Sequence, residues 1–163
     1  MRVLKLLARL LLTVVGLAFA ASIASVVVAA IMKPRLPDRS QPEDDELEMV
    51  SILGSRDLRS TSTAFRGGRL ICWQGSAGLD LRGARLDPAG GRLLVWTVFG
   101  ATGIRVPEDW RVDSSGIAVL GAAGSSAMRP EAASDGPVLS IEHLTVFGAL
   151  GVAAEPDAET LEV

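Results

Sequence analysis

Five short segments of this chain end in the same pattern, and this repeat restricts the fold more than any other feature of the sequence. The segments read VSILG, ICWQG, WTVFG, IAVLG and LTVFG. Their last residues are Gly54, Gly75, Gly100, Gly121 and Gly148, spaced 21, 25, 21 and 27 apart. Four and two residues before each glycine the side chain is apolar, and three residues before it the side chain is small. Three residues after it, four of the five copies have a second glycine.

The spacing within each segment predicts a strand with two different faces. Side chains of a strand alternate between its faces, so the positions four and two before the glycine share one face. Because both are large and apolar in every copy, we predict that this face is the core, with Trp73 and Trp96 in core positions. The Gly-x-x-Gly that follows suits a sharp bend. The alternation beginning at Ile104 then predicts a half-exposed second strand with Ile104 inward.

The rest of the body supports a fold made of strands. Its apolar runs are short, rich in β-branched residues and interrupted by Gly, Pro, Asp and Ser, and they lack helical periodicity. One repeat of this length cannot bury its own apolar face, whereas stacked copies can. We therefore predict an all-β body, a short right-handed β-helix or solenoid-like stack of about five repeats. A β-sandwich is the alternative, but sandwich strands do not usually share a position-specific profile.

The first 32 residues differ in kind from the body. They hold no acidic residue and three basic ones, Arg2, Lys5 and Arg9. From Leu10 to Met32 there are 23 consecutive uncharged residues, about 34 Å of helix against a hydrocarbon core of about 30 Å. A cleaved signal peptide with a site near Ala18 is the alternative. The apolar run continues well past that site, which favours an uncleaved transmembrane helix inserted in the lipid bilayer.

The charges that flank this helix favour one orientation by a small margin. Basic groups near the ends of a span tend to remain on the cytoplasmic side. The amino terminus and three basic residues precede the run, and Lys33, Arg35 and Arg39 follow it. We expect a single-pass protein of the cell membrane with its body on the extracytoplasmic side.

The chain divides by composition into four parts. Residues 1–32 are the anchor, and residues 33–48 form a linker rich in proline and charge that we expect to be extended and solvated. Residues 49–152 are the repeat domain, and residues 153–163 form an acidic tail. Segment 130–137 and the tail are expected to hinder end-to-end stacking of repeats.

Composition excludes several functions and favours a protein without catalysis. The net charge is −3, and outside the anchor 13 Lys and Arg stand against 19 Asp and Glu, which argues against nucleic-acid binding. The lone Cys72 is expected to be a compact apolar filler, and the lone His143 lacks partners for a metal site or a triad. We predict no catalytic, cofactor or metal residues. Trp110, which follows the turn sequence Pro-Glu-Asp, is the candidate partner-binding residue, or else a lid on the stack.

Several segments of the body resemble a known family. They read LDLRGARL (79–86), VFGATGIRVPEDWRV (98–112) and IAVLG (117–121). This pattern is similar to the C-terminal domain of LiaF-like cell-wall-active antibiotics response proteins, over about residues 50–152. The resemblance implies a membrane-linked β-solenoid domain that senses or damps envelope stress, often beside a two-component kinase. The second glycine of the family's FGG is Ala101, Ala122 or Ala149 here.

Two functions follow as expectations. The first is a non-enzymatic single-pass membrane protein whose β domain takes part in envelope stress sensing or regulation by binding a partner, such as a membrane protein or sensor kinase. The second is a structural, adhesin-like or bactofilin-like β-helical protein that forms homo-oligomers by stacking its repeats.

Overall fold

The computed structural model describes residues 2–36, 38–126 and 136–156. A long helix, α1 (Arg2–Met32), leads through a short 3-10 turn (Lys33–Arg35) to a body of ten strands. The strands are β1 (Glu46–Ile52), β2 (Ser55–Arg59), β3 (Gly67–Trp73), β4 (Ser76–Asp80), β5 (Gly91–Val98), β6 (Ala101–Pro107), β7 (Arg111–Val119), β8 (Ala122–Ser125), β9 (Val138–Val146) and β10 (Ala149–Glu155). The prediction of an apolar helix followed by an all-β body is confirmed.

The strands form two parallel five-stranded sheets. Sheet I has the order β1-β3-β5-β9-β7, and sheet II has the order β2-β4-β6-β10-β8. Each repeat contributes one strand to each sheet, and equivalent positions pair in register: Ile71 lies between Val50 and Trp96, for example. The fifth repeat pairs with both the third and the fourth. The fourth repeat, β7 and β8, therefore forms one edge of the body.

The inward face of sheet I is the opposite of the predicted one. Cys72 and Thr97, in the small position three before the glycine, are fully buried, whereas Trp96 is 48% exposed. The expectation that the positions four and two before the glycine line the core is therefore wrong. The two sheets meet at these strand ends, where the Thr97 hydroxyl lies 2.7 Å from that of Thr102 on sheet II. Only small side chains fit inside such a corner.

Sheet II follows the predicted alternation. Ile104 is 1% exposed, Val106 is fully buried, and Arg105 between them faces outward. These residues pack against the inward side chains of sheet I in one core. Its largest fully buried members include Phe65, Met49, Leu70, Leu79, Leu81, Leu93, Leu139 and Ile141.

The bend between the paired strands uses a left-handed residue just before the repeat glycine. Leu53, Gln74, Phe99, Leu120 and Phe147 all have φ between 49° and 55°. In every repeat but the first, the repeat glycine is required by close stacking of the turns: a Cβ on Gly100, for example, would lie 2.6 Å from the Gly75 carbonyl oxygen, whereas one on Gly54 would meet nothing within 4 Å. The second glycine of Gly-x-x-Gly lies beyond the bend, inside the second strand.

Part of the 33–48 segment packs on the body. The Arg39 amide donates to the Glu48 carbonyl at 3.3 Å, and the Asp38 carboxylate pairs with Arg56 at 2.6 Å. These contacts hold the segment along the outer edge of β1 instead of leaving it as a free spacer. At the other end, β10 extends to Glu155. The predictions for residues 130–135 and 157–163 lie outside the described residues.

Candidate binding surfaces

An apolar band runs across the outer face of sheet I at the carboxyl ends of its strands. It is formed by the positions four, two and one before each repeat glycine. By repeat, its members are Val50, Ile52 and Leu53; Ile71, Trp73 and Gln74; Trp96, Val98 and Phe99; Ile117, Val119 and Leu120; and Leu144, Val146 and Phe147. All but Gln74 are apolar, and Phe99 stacks on Phe147 with ring centroids 4.8 Å apart.

The helix α1 covers the first two repeats of this band. The Trp73 indole N–H donates to the Ser25 hydroxyl at 2.7 Å, and the Gln74 amide donates to the Ser22 carbonyl at 3.2 Å. On the same face Ile71 is only 6% exposed, and Ala29 on the helix is fully buried. The one polar side chain of the band is thus satisfied by the helix backbone.

The other three repeats leave the band uncovered in the described part of the chain. Exposed fractions reach 63% at Ile117, 45% at Val119 and 74% at Leu120. Adjacent strands place these side chains beside Trp96 and Leu144, which are also exposed. A contiguous apolar patch of this kind marks an interaction surface more often than isolated exposed residues do.

A groove crosses the outer face of sheet II. Its floor is the column of second glycines, Gly78, Gly103, Gly151 and Gly124, which lie side by side in register. The groove has a volume of about 1030 Å³. A Cβ built on Gly103, Gly124 or Gly151 would meet nothing within 4 Å. Packing among the described residues therefore does not require glycine at these three positions, although glycine weakens a strand.

Charged side chains form one rim of this groove. Arg82 pairs with Asp80 at 2.8 Å and with Glu155 at 3.1 Å, and Arg105 lies 3.5 Å from Glu155. The hydrogen bond from Arg82 holds the pKa of Asp80 below its usual value. The rim offers both signs of charge beside a floor of exposed backbone.

Trp110 lies apart from both surfaces. It is half-buried, packs against the core and stacks on Phe65 with ring centroids 6.3 Å apart. Its amide bonds to the Pro107 carbonyl in the predicted turn. This placement fits the lid interpretation of Trp110, and its role as a partner-binding residue stays a prediction.

The single cysteine and histidine show no assembled chemistry. Cys72 is fully buried, and this burial raises the pKa of its thiol. His143 is half-buried opposite Gly116, and its Nδ1 has no hydrogen-bond partner among the described residues. Within residues 2–36, 38–126 and 136–156 no three His, Cys, Asp or Glu side chains lie together as a metal site would require.

Sequence reasoning missed both surfaces. The band was assigned to the core, and the second glycines were assigned to a bend. A signal for the groove was present, because four copies repeat a glycine at a strand position where glycine is disfavoured.

The helix α1 meets the requirements for crossing a bilayer. Residues 5–35 form one helical stretch with a mean hydropathy of 2.5 in its most apolar window. This stretch supports membrane association only by length and composition, which a signal sequence would share. Comparisons of the chain with protein-family models, curated proteins and solved structures give no match.

Proposed function

We propose that this chain is a membrane-anchored, non-enzymatic binding protein. Its helix α1 remains as the anchor, and its two parallel sheets form a short right-handed solenoid-like stack. The body takes part in envelope stress sensing or regulation by binding a membrane protein or sensor kinase on the extracytoplasmic side. The groove on sheet II is the observation that supports a binding function. The resemblance to LiaF-like proteins is the reason for proposing envelope stress sensing or regulation as the process.

The groove suits an extended polypeptide better than a small substrate. The Asp57 carboxylate lies over Gly78, but a Cβ at Gly103 or Gly151 would meet nothing within 4 Å among the described residues, so a partner can lie close to the sheet at these two glycines. The rim of the groove presents Arg59, Asp80 and Arg105 at successive rungs. Charges of both signs favour a segment that carries both signs itself, because complementary charges fix register and exclude wrong partners.

Assembly by stacking is the second candidate function. The strand β7 is the last strand of sheet I, and its outer edge is unpaired in the described part of the chain. Unpaired strand edges invite pairing with another chain. At the opposite end, however, the Arg39 amide already bonds to β1. This blocked end favours a pair of chains joined through β7 over an open filament.

The test compares envelope stress signalling in cells with three forms of the full chain. Deletion of the protein should change the transcriptional response to a cell-wall antibiotic. Gly103→Leu should reproduce the deletion at equal protein level, because its side chain fills the groove without touching the fold. Gly54→Leu is the matched control, since it also has open space above it but lies outside the groove.

Two outcomes would contradict the proposal. An unaltered stress response after deletion would mean that the chain does not take part in envelope stress sensing or regulation. Equal effects of Gly103→Leu and Gly54→Leu would mean that the groove is not the binding site. Light scattering of the detergent-solubilised chain separates the second candidate, because long concentration-dependent assemblies would favour a structural role.

A further inference from the structure

We infer that the apolar band of sheet I is immersed in the hydrocarbon layer of the same bilayer that α1 spans. This inference rests on the proposed function in one respect, that α1 remains as a membrane anchor. The occupant of the uncovered half of the band is then lipid acyl chain. The body lies partly within one leaflet instead of standing clear of the membrane on a linker.

The body meets α1 well inside the apolar run. The body contacts α1 at Ser22 and Ser25, which lie within the apolar run. At the rise per residue of a helix, these two residues are about 15 and 10 Å from the end of the run at Met32. A helix that spans over residues 10–32 therefore carries Trp73 and Gln74 to that depth. Half of a hydrocarbon core is about 15 Å thick, so these positions fall inside the leaflet.

Arg69 marks the level at which charged side chains begin on the outer face of β3. Trp73 contacts Ser25, and the next residue, Gln74, contacts the earlier helix residue Ser22. The sequence numbers thus rise along β3 while they fall along α1, so the strand and the helix are roughly antiparallel here. Going back four residues from Trp73 reaches Arg69, about 13 Å along the strand. Arg69 forms an ion pair with Glu48, and the Glu48 carbonyl accepts the amide of Arg39, seven residues after the end of α1 at Met32. Arg69 thus lies about level with the end of the apolar run, where headgroups are expected.

The band itself is almost wholly apolar. Across five repeats it contains no charged side chain, and its single amide, Gln74, is bonded to the helix backbone. The next row back on the same face consists of Glu48, Arg69, Leu94, Glu142 and Ser115, so it is polar or charged in four of the five repeats. On this face, apolar side chains toward the corner and mostly polar ones away from it match the division between hydrocarbon and headgroups in a leaflet.

Four of the five residues at the corner are leucine or phenylalanine. Leucine and phenylalanine are disfavoured at positive φ, where glycine or asparagine is ordinary. Leu120 nevertheless adopts φ of 51° with its side chain 74% exposed. The described part of the chain gives this side chain little to pack against. Contact with lipid supplies a reason to retain a large apolar residue there.

The test measures contact with lipid in the full chain reconstituted in phosphatidylcholine nanodiscs. Single-tryptophan forms keep Trp96, in the band, or Trp110, which stacks on Phe65 outside it. Lipids with a nitroxide on the acyl chain should quench Trp96 about threefold or more above Trp110, because only the former reaches hydrocarbon depth. Water-soluble iodide should show the reverse order.

A second measurement keeps the test valid if a tryptophan substitution disturbs folding. Nitroxide labels are placed at Leu120→Cys and, as the matched control on the same repeat, at Ser115→Cys. The native Cys72 is fully buried and should remain unlabelled. The label at 120 should be relaxed by oxygen, which concentrates in hydrocarbon, and the label at 115 by a nickel chelate in water.

Each remaining result has a distinct meaning. If the chain resists alkaline extraction from membranes but Trp96 is quenched by iodide and not by lipid, the inference is wrong while the anchor stands. If Trp96 is shielded from both quenchers and the particle holds two chains, a second copy covers the band and the inference is also wrong. Extraction of the chain by alkali would overturn the anchor itself.

Discussion

The inner and outer faces of sheet I are both apolar, yet only one of them is the core of the body. On the inner face, Leu93 and Val95 are fully buried. On the outer face, Ile117 is 63% exposed and Trp96 is 48% exposed. Hydrophobicity alone therefore does not distinguish a protein core from a surface that contacts lipid acyl chains. Side-chain size does so here, since the inner face becomes small where the two sheets meet.

The largest expected effect comes from truncating one residue on each face. Leu93→Ala should lower the free energy of unfolding by about 2–5 kcal/mol, because it leaves a cavity in a closed core. Ile117→Ala should change it by less than about 0.5 kcal/mol, because the isoleucine is mostly exposed. Circular dichroism of the detergent-solubilised full chain during denaturation provides both values. Equal losses would mean that the outer face is packed against the chain after all.

A smaller effect is expected at the corner, where only small side chains fit between the two sheets. Cys72→Leu should lower the free energy of unfolding by about 1–3 kcal/mol, because the added carbons have no room between the sheets. Val119→Leu adds volume on the outer face and should be nearly neutral. The same unfolding measurement compares them. A neutral Cys72→Leu would show that the corner can expand, and that small residues there have another cause.

Part of this architecture could be predicted from the sequence. Shared positions in five segments predicted that equivalent residues stack, and the alternation around Ile104 predicted which way sheet II faces, because only one of its faces is apolar. Sheet I has no such asymmetry: Ile71 and Leu70 are adjacent and both apolar, so a period of two yields two faces without saying which is inside. The sequence also could not predict that the fifth repeat pairs with the third. Because the repeats share one pattern, their strands could pair equally well in any order.

The same limit applies to the two surfaces. The groove depends on Gly103 lying between Gly78 and Gly151, and only the sheet order brings these together. The band depends on knowing that Trp96 points outward, which is the one fact that the pattern of sheet I leaves open. What the sequence did contain was the recurrence of each residue type at a fixed offset from the repeat glycine.

The smallest expected effect concerns the outer face at its most exposed point. Leu120→Gly relieves a left-handed conformation that disfavours leucine by about 1–2 kcal/mol, while the added freedom of glycine in the unfolded chain offsets about 0.5–1 kcal/mol. The variant should therefore be more stable by a few tenths to about 1 kcal/mol in detergent.

Leu120→Ala is the matched control for this variant, because alanine loses the same side chain but keeps the disfavoured backbone. It should show no gain in the unfolding measurement. A loss of stability in both variants would mean that Leu120 packs against the chain. A gain in Leu120→Gly alone would show that the side chain is retained at a conformational cost, which the fold by itself does not require and which contact outside the chain would explain.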